Sequence, residues 1–287
     1  MTTETHPLVS VICLCYNQAQ FVEEAILSVL DQDYPHTELI VVDDFSTDGS
    51  REVIDRVAEK YPQIQVIKNE QNLGNCQAFN RGFQQSKGSY LIDLAADDLL
   101  VPTRISMGIH DLENREASYG VQYGEVTLVD ANGKPIRNFY EKGNLQPASG
   151  DLYTRLITTF FISAPSMLIR RRVLEELGGY DESLAYEDFD FWIRSSRDYL
   201  YSFTPEVTVF KRIHSNNFSD KQQKFRNHLS MSTFKVCEKI YALSKSQEEY
   251  QALIKRCRYE IRQNVKQGNP ALVFSYVGLI RRVWKKL

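Results

Sequence analysis

The chain has 287 residues, 43% of them hydrophobic and 25% charged, which is the composition of one large globular domain or of one domain with an appendage. It has no run of about 18 apolar residues to cross a membrane as a helix, and its start, MTTETHPLVS, lacks a basic region and an apolar signal core, so no secretion is expected. The formal net charge of −3 hides an asymmetry: 15 Lys/Arg against 4 Asp/Glu from Lys221 onward, and 19 against 33 before it. An acidic body with a basic tail (+11) points to an anionic partner for the tail, or to a solvated helical face. Five scattered cysteines, odd in number and without CxxC pairs, argue for reduced buried thiols and against zinc.

In chain order, Val9–Leu14 is a continuous apolar, β-branched run and reads as a buried strand. Cys15-Tyr16-Asn17 follows as a loop, then Phe21–Leu30 with helical spacing. Glu38–Val42 is a second strand, ending in the polar loop Asp43–Ser50; Ser50 opens a helix carrying Val53, Ile54, Val57 and Ala58 on one face. Gln65–Lys68 is a third strand, and Gln71–Asn80 a glycine-containing loop entering a helix. Tyr90–Leu94 is a fourth strand that runs into Asp97-Asp98, with a helix starting near Pro102. The alternation is that of a doubly wound parallel sheet. The first turn carries neither GxGxxG nor GxxxxGK[ST], so any phosphate must be handled without a glycine-rich cradle.

The pattern then loosens. Ser118–Val129 alternates like a strand and Asp130–Gly133 is a hairpin turn. Gly150–Thr159 looks helical, Ser166–Ile169 is a short apolar run, and Arg172–Leu177 is a short helix closed by Gly178-Gly179. Tyr186–Arg197 reads as a helix, Tyr199–Phe203 and Val207–Phe210 as two strands. From Lys221 the chain reads as helix, with Gln247–Lys266 one long helix. Ala271–Leu287 is apolar first and basic last; it could lie at a membrane interface or pack on the domain with its basic end in water.

Three carboxylate pairs stand out. Asp43-Asp44 and Asp97-Asp98 end parallel strands, where open α/β sheets bind ligands. Adjacent carboxylates repel unless a cation or water intervenes, and oxygen donors suit Mg²⁺ or Mn²⁺. Glu187-Asp188 opens a helix, where the dipole alone favours carboxylates. His214 sits in a polar loop and could be a metal ligand or a surface residue.

These segments resemble family 2 glycosyltransferases. Pro7–Asn17 is similar to that family's opening strand with its Tyr-Asn, and Val41–Gly49 to its nucleotide-contacting loop. Asn72-Leu73-Gly74 with Asn80, then Gly88–Asp98, resemble the run into its metal motif. Gly178–Asp181 and Glu187–Arg194 resemble its acceptor-side segment, and His214 with Asn217 and Ser219 its closing histidine motif. The resemblance covers about residues 7–220. It implies a GT-A-type, Rossmann-like, mostly parallel α/β sheet flanked by helices, as a catalytic domain over 1–220 with a basic helical extension over 221–287.

The activity implied is inverting transfer of a sugar from a nucleoside-diphosphate donor, UDP favoured, to a hydroxyl of a glycan or lipid-linked acceptor, in cell-surface polysaccharide or glycolipid synthesis. Mn²⁺ or Mg²⁺ would lie on Asp98, with Asp97 and His214. Cys15, Tyr16, Asn17, Asp43, Asp44, Asn72, Gly74 and Asp97 would contact the nucleotide. Asp188 would be the general base, with Glu187 as fallback. Many relatives carry DxDD where this chain has Ala95; Asp93, two residues earlier, is not expected to replace the missing carboxylate. That departure keeps open a non-catalytic, sugar-nucleotide-binding member or subunit. A sugar-phosphate nucleotidyltransferase is disfavoured because Cys15–Gln20 is not its Arg/Lys-bearing loop. A lipid- or partner-binding module would use the +11 tail instead. No nucleic-acid motif is present. The expected setting is cytoplasmic, on the membrane face if the tail meets anionic lipid, with an oligomer possible.

Overall fold

The computed structural model describes residues 6–141, 143, 145–214 and 226–287. Four parallel strands form one half of the sheet: β1 (Val9–Cys15), β2 (Thr37–Asp43), β3 (Gln65–Lys68) and β4 (Tyr90–Ala95), in spatial order β3-β2-β1-β4. Helices α1 (Val22–Leu30), α2 (Ser50–Lys60) and α3 (Asn75–Gln85) make the crossovers. Strand alternation splits the core in two. Val9, Val11 and Cys13 pack with α1 and α2 on one face, while Ile12, Val42 and Leu91 pack with Phe79 of α3 on the other. Both faces are covered, which is why these strands read as unbroken apolar runs.

The other half is mixed. Beyond β4 come β5 (Leu99–Leu100), α4 (Arg104–Glu113), β6 (Tyr119–Val129), β7 (Pro135–Asn138), α5 (Tyr153–Thr158), a 3-10 turn (Ala164–Ser166), β8 (Leu168–Arg170), α6 (Arg171–Leu177), α7 (Asp188–Ser195) and β9 (Leu200–Arg212). The sheet continues β4-β8-β6-β9-β5, with β7 hairpinned onto β6.

Two expectations are corrected here. The two strands expected over 199–210 are one strand, β9, which bulges where Thr204 faces Gly124 and Val207 already faces Glu125. Pro205, which has no N–H for a ladder, falls in that bulge. The helix expected from Tyr186 begins at Asp188, with Glu187 as its cap residue. Before the helix near Pro102, the short β5 pairs antiparallel with the end of β9, Leu99 opposite Phe210. Asp97 and Asp98 are thereby set between two strands of one sheet.

Three C-terminal helices follow: α8 (Arg226–Leu243), α9 (Gln247–Lys266) and α10 (Pro270–Trp284). A Ser246–Glu249 capping box starts α9, a device worth about 0.5–2 kcal/mol. The helices pack on the domain. Val236, Cys237, Leu253, Cys257, Tyr276 and Leu279 are buried in the same apolar cluster as Leu156, Phe161 and Phe189. Each such fully buried aliphatic side chain contributes about 1.5–3 kcal/mol. The boundary expected at residue 220 lies outside the described residues, as do Asn217 and Ser219. All five cysteines are free and buried. Among the described residues no helix is long and apolar enough to cross a membrane.

Candidate functional site

The loops after β1 and β2 are stitched together by side chain to backbone bonds. The Ser46 hydroxyl accepts the Asn17 N–H at 2.9 Å, and Asn17 Oδ1 accepts the Thr47 N–H at 2.8 Å. Ser50 Oγ accepts the Gln18 N–H and Asp48 the Ala19 N–H. Asn17 and Phe45 hold positive φ angles of 55° and 67°. Such backbone costs of order 1–3 kcal/mol and concentrates at ligand sites. Tyr16 and Phe45 expose their rings at this edge, 48% and 41%. Cys15 instead points into the core, and burial pushes its thiol up to about 11; its carbonyl receives the Asp44 N–H.

Asp43 and Asp44 are both buried and both engaged. Asp43 accepts Arg51 Nε at 2.6 Å and, more weakly, the Ser46 N–H. Asp44 accepts Asn69 Nδ2 and the Leu73 N–H through Oδ1, and the Gly74 N–H through Oδ2, each at 2.8 Å. Gly74 has φ 82°, which turns its N–H onto that carboxylate. Asn72 donates to the Asp44 carbonyl. Asp44 thus shapes the 69–74 loop.

A second cluster forms where β5 leaves β4. Asp98 Oδ1 accepts the Arg212 N–H at 3.0 Å, extending the β5–β9 pairing by one side chain. Burial, then the neighbouring Asp97 charge, push Asp98 up to about 7, against the pull of Lys211 and Arg212. Asp97 Oδ2 lies 3.1 Å from His214 Nε2 and accepts Gln18 Nε2 at 3.4 Å. The His214 ring packs on Phe21, and the Arg212 guanidinium lies over the same ring and pairs with Glu24.

The third cluster faces it from α7. Burial and the adjacent Asp188 push Glu187 up to about 7, opposed by a hydrogen bond from Asn75 and by Lys211. Burial also raises Asp188, although the Phe189 N–H donates to its Oδ1 at 2.7 Å. Asp93 belongs with these residues: burial and Glu187 raise it strongly, and Tyr180 hydrogen-bonds it. The segment before α7 is tied down by Asn80, which donates to the Tyr180 carbonyl and accepts the Tyr180 N–H. Gly179 is needed there, since a Cβ would stand 2.5 Å from Asn80 Oδ1. Lys239 of α8 bridges Asp181 and Asp190 at 2.5 Å each, and Asp190 also holds Arg194. The C-terminal helices therefore support the site.

With this geometry, known proteins can be compared. A model described as glycosyl transferase family 2 matches residues 10–178, more than half of the chain. The chain belongs to that family. An uncharacterised glycosyltransferase of Methanocaldococcus jannaschii is 29% identical over 235 residues, 79% of either chain. Three rickettsial relatives are longer, and this glycosyltransferase spans 31–36% of their length. Among solved structures, Staphylococcus aureus TarS 1-349 superposes with a TM-score of 0.71 at 18% identity, covering 96% of this chain and 82% of that one. Its complex with UDP-GlcNAc superposes at 0.65 with 18% identity, covering 87% and 71%. The mannosyltransferase PcManGT of Pyrobaculum calidifontis, with GDP-Man and Mn²⁺, gives 0.65 at 19% identity over 98% and 76%. The fold is that of GT-A glycosyltransferases.

This glycosyltransferase brings most residues named from its sequence to one edge of the sheet. Asp43, Asp44, Asn72, Gly74, Tyr16 and Asn17 stand at the end of β2 or in the linked loops after β1, β2 and β3, Asp97, Asp98 and His214 where β5 begins and β9 ends, and Glu187 and Asp188 at the start of α7, where Asn75 reaches Glu187. Among the described residues no group of three or more His, Cys, Asp or Glu side chains could by itself hold a metal ion. The donor chemistry of Asp97 and His214 fits a cation completed by substrate oxygens, the usual way Mg²⁺ is held beside phosphates. Sequence reasoning missed Lys211, whose charge reaches Asp98, Glu187 and Asp188 alike, and Arg212. Their signal was adjacency: Lys-Arg two residues before His214 at a strand end. Ala95 is exposed at the end of β4, on the face that carries Asp93.

Proposed function

We propose that this glycosyltransferase moves a sugar with inversion from a nucleoside-diphosphate sugar, UDP favoured, to a hydroxyl of a glycan or lipid-linked acceptor. The observation that carries this reading is the pair Glu187–Asp188, raised by burial and sharing the charge of Lys211 with Asp98, whose neighbour Asp97 holds His214. Charge neutralisation for a leaving diphosphate and a base for an attacking hydroxyl thus stand on the same sheet edge.

In this reading the exposed Tyr16 ring stacks on the nucleobase, and the Asp43–Ser46 loop and Gly74 border it. Asp97, Asp98 and His214 would hold a divalent cation, Mn²⁺ or Mg²⁺, which would supply charge neutralisation to the diphosphate when bound. Lys211 and Arg212 add fixed positive charge beside it. Asp188 accepts the proton of the acceptor hydroxyl as its oxygen bonds the anomeric carbon from the side opposite the diphosphate. The C–O bond to the diphosphate breaks, the nucleoside diphosphate leaves, and the anomeric configuration inverts. Glu187, pushed up to about 7 by burial and by Asp188, is the other carboxylate of the pair. PcManGT with GDP-Man and Mn²⁺ and TarS with UDP-GlcNAc support a nucleotide-sugar donor here by likeness of fold.

Calorimetric titration with UDP, GDP and dTDP, each with Mn²⁺ and with EDTA, tests the donor side. Mn²⁺-dependent binding of UDP is expected. Ala95 favours one other reading, a sugar-nucleotide-binding member without turnover; binding of UDP-sugars with neither transfer nor slow donor hydrolysis would select it.

A further inference from the structure

A cavity of about 520 Å³ opens on the C-terminal helices, lined by residues beyond the segment matched by the family model except for Thr158. Its walls are Thr158 at the end of α5, the α9 stripe Gln251, Lys255, Arg258 and Arg262, and Tyr259 and Trp284. The stripe runs at helical spacing for about 16 Å, and no carboxylate lines the cavity. Lys255, Arg258 and Arg262 have no ion-pair partner among the described residues. Tyr259 is 52% and Trp284 57% exposed, so two aromatic faces flank three free cations.

The floor of the cavity is made of buried side chains, Ile254 and Arg256. Arg256 also lines it and is buried, paired with Glu260 at 2.9 Å, with its Nε lacking any partner. Its guanidinium lies 4.1 Å from the Phe160 ring centroid and 4.7 Å from that of Phe189, the residue after Asp188. Its charge reaches Asp188.

We propose that this groove is an acceptor subsite for a polyanionic glycan, one carrying carboxylate or phosphate groups, whose chain lies along α9. The assignment rests on the proposed transfer to a glycan. Cations at three- and four-residue spacing match charges repeated along a sugar chain, and the aromatic rings take the apolar faces of the sugars. A concave groove suits a chain better than a flat bilayer surface. Lys255, Arg258 and Arg262 put part of the +11 charge of the segment after residue 220 where the glycan would lie.

The test uses the full chain. Oligogalacturonate and phosphorylated maltodextrin are the two anionic probes, plain maltodextrin the neutral one, and phosphatidylglycerol vesicles the lipid control. Tryptophan emission is read, since of the two tryptophans only Trp284 is exposed. At least one anionic glycan is expected to bind about tenfold more tightly than the neutral one and to weaken with salt. Arg258→Gln with Arg262→Gln is expected to lower that affinity by about five- to tenfold. Lys255→Gln with Arg262→Gln carries the same expectation should the first pair fail to fold. Equal affinity for neutral and anionic glycans, unchanged affinity in a folded double variant, or binding to vesicles alone overturns the proposal. A parallel UDP titration separates the readings: glycan binding without UDP binding sinks the donor site and leaves the groove, and the converse sinks the groove.

Discussion

Two sets of carboxylates share the carboxyl edge of one sheet, and they are treated in opposite ways. Asp43 and Asp44 are surrounded by donors: a guanidinium, an amide side chain and the N–H groups of Ser46, Leu73 and Gly74. Glu187, Asp188 and Asp93 are all raised by burial, Glu187 also by Asp188 and Asp93 also by Glu187, with few donors to compensate. The first set is committed to holding loops. The second is left with raised protonation equilibria, which in the proposed reading suit proton transfer. A carboxylate at the end of a strand is therefore not yet a reactive group; its donors decide.

The largest expected effect lies on the poised side. Asp188→Asn should lower turnover by roughly 10²–10⁴-fold while UDP affinity measured by calorimetry stays within twofold, roughly the scale of one general base. Normal turnover in that variant would place the base elsewhere. On the committed side, Asp44→Ala should cost about 2–4 kcal/mol in urea denaturation, because buried N–H groups lose their acceptor. If Asp44→Ala were instead fully stable yet blind to UDP, the contrast between the two sets would collapse.

Smaller effects sharpen it. Lys211→Met removes the charge that draws down both Glu187 and Asp188. The acid limb of the rate–pH profile should then move up by about half to one unit. An unmoved limb would mean that Lys211 does not face the base. Last is a stability effect. Glu187 is raised from 4.5 to about 7 in the fold. Its contribution is thus present below its unfolded value and lost as pH rises through about 7. The thermal midpoint of the ligand-free protein should fall between those values, and Glu187→Gln should flatten the fall.

Legibility in the sequence tracked how local the cause was. β3 and α9 have the bounds expected from Gln65–Lys68 and Gln247–Lys266, since turn residues and a capping box mark them in the chain itself. The strand-helix alternation through Tyr90–Leu94 was equally plain, because burial on both faces leaves a continuous apolar run. The second half was harder to read. Residues 204–206 were left between two expected strands, whereas the β9 bulge absorbs them against Gly124. The start of α7 was placed two residues early, because Tyr186 and Phe189 have helical spacing whether or not the backbone there is helical.

In the site, Asp97, Asp98, Glu187, Asp188 and His214 were named from motifs, but their partners were not. Asp93 was not expected to replace the missing motif carboxylate, and it faces Tyr180 and Glu187. Lys211 was not singled out.

What the sequence by itself determined is the family, the order of the elements and the residue types at the sheet edge, all of which depend on neighbours within a few positions. Only the tertiary structure decided which carboxylates are spent on loops and which stay poised. It also decided that β5 pairs with β9 to bring Lys211 and Arg212 beside Asp98, and that the basic helices pack against the domain. Burial and charge–charge coupling act between residues more than a hundred positions apart, and no local pattern records that distance.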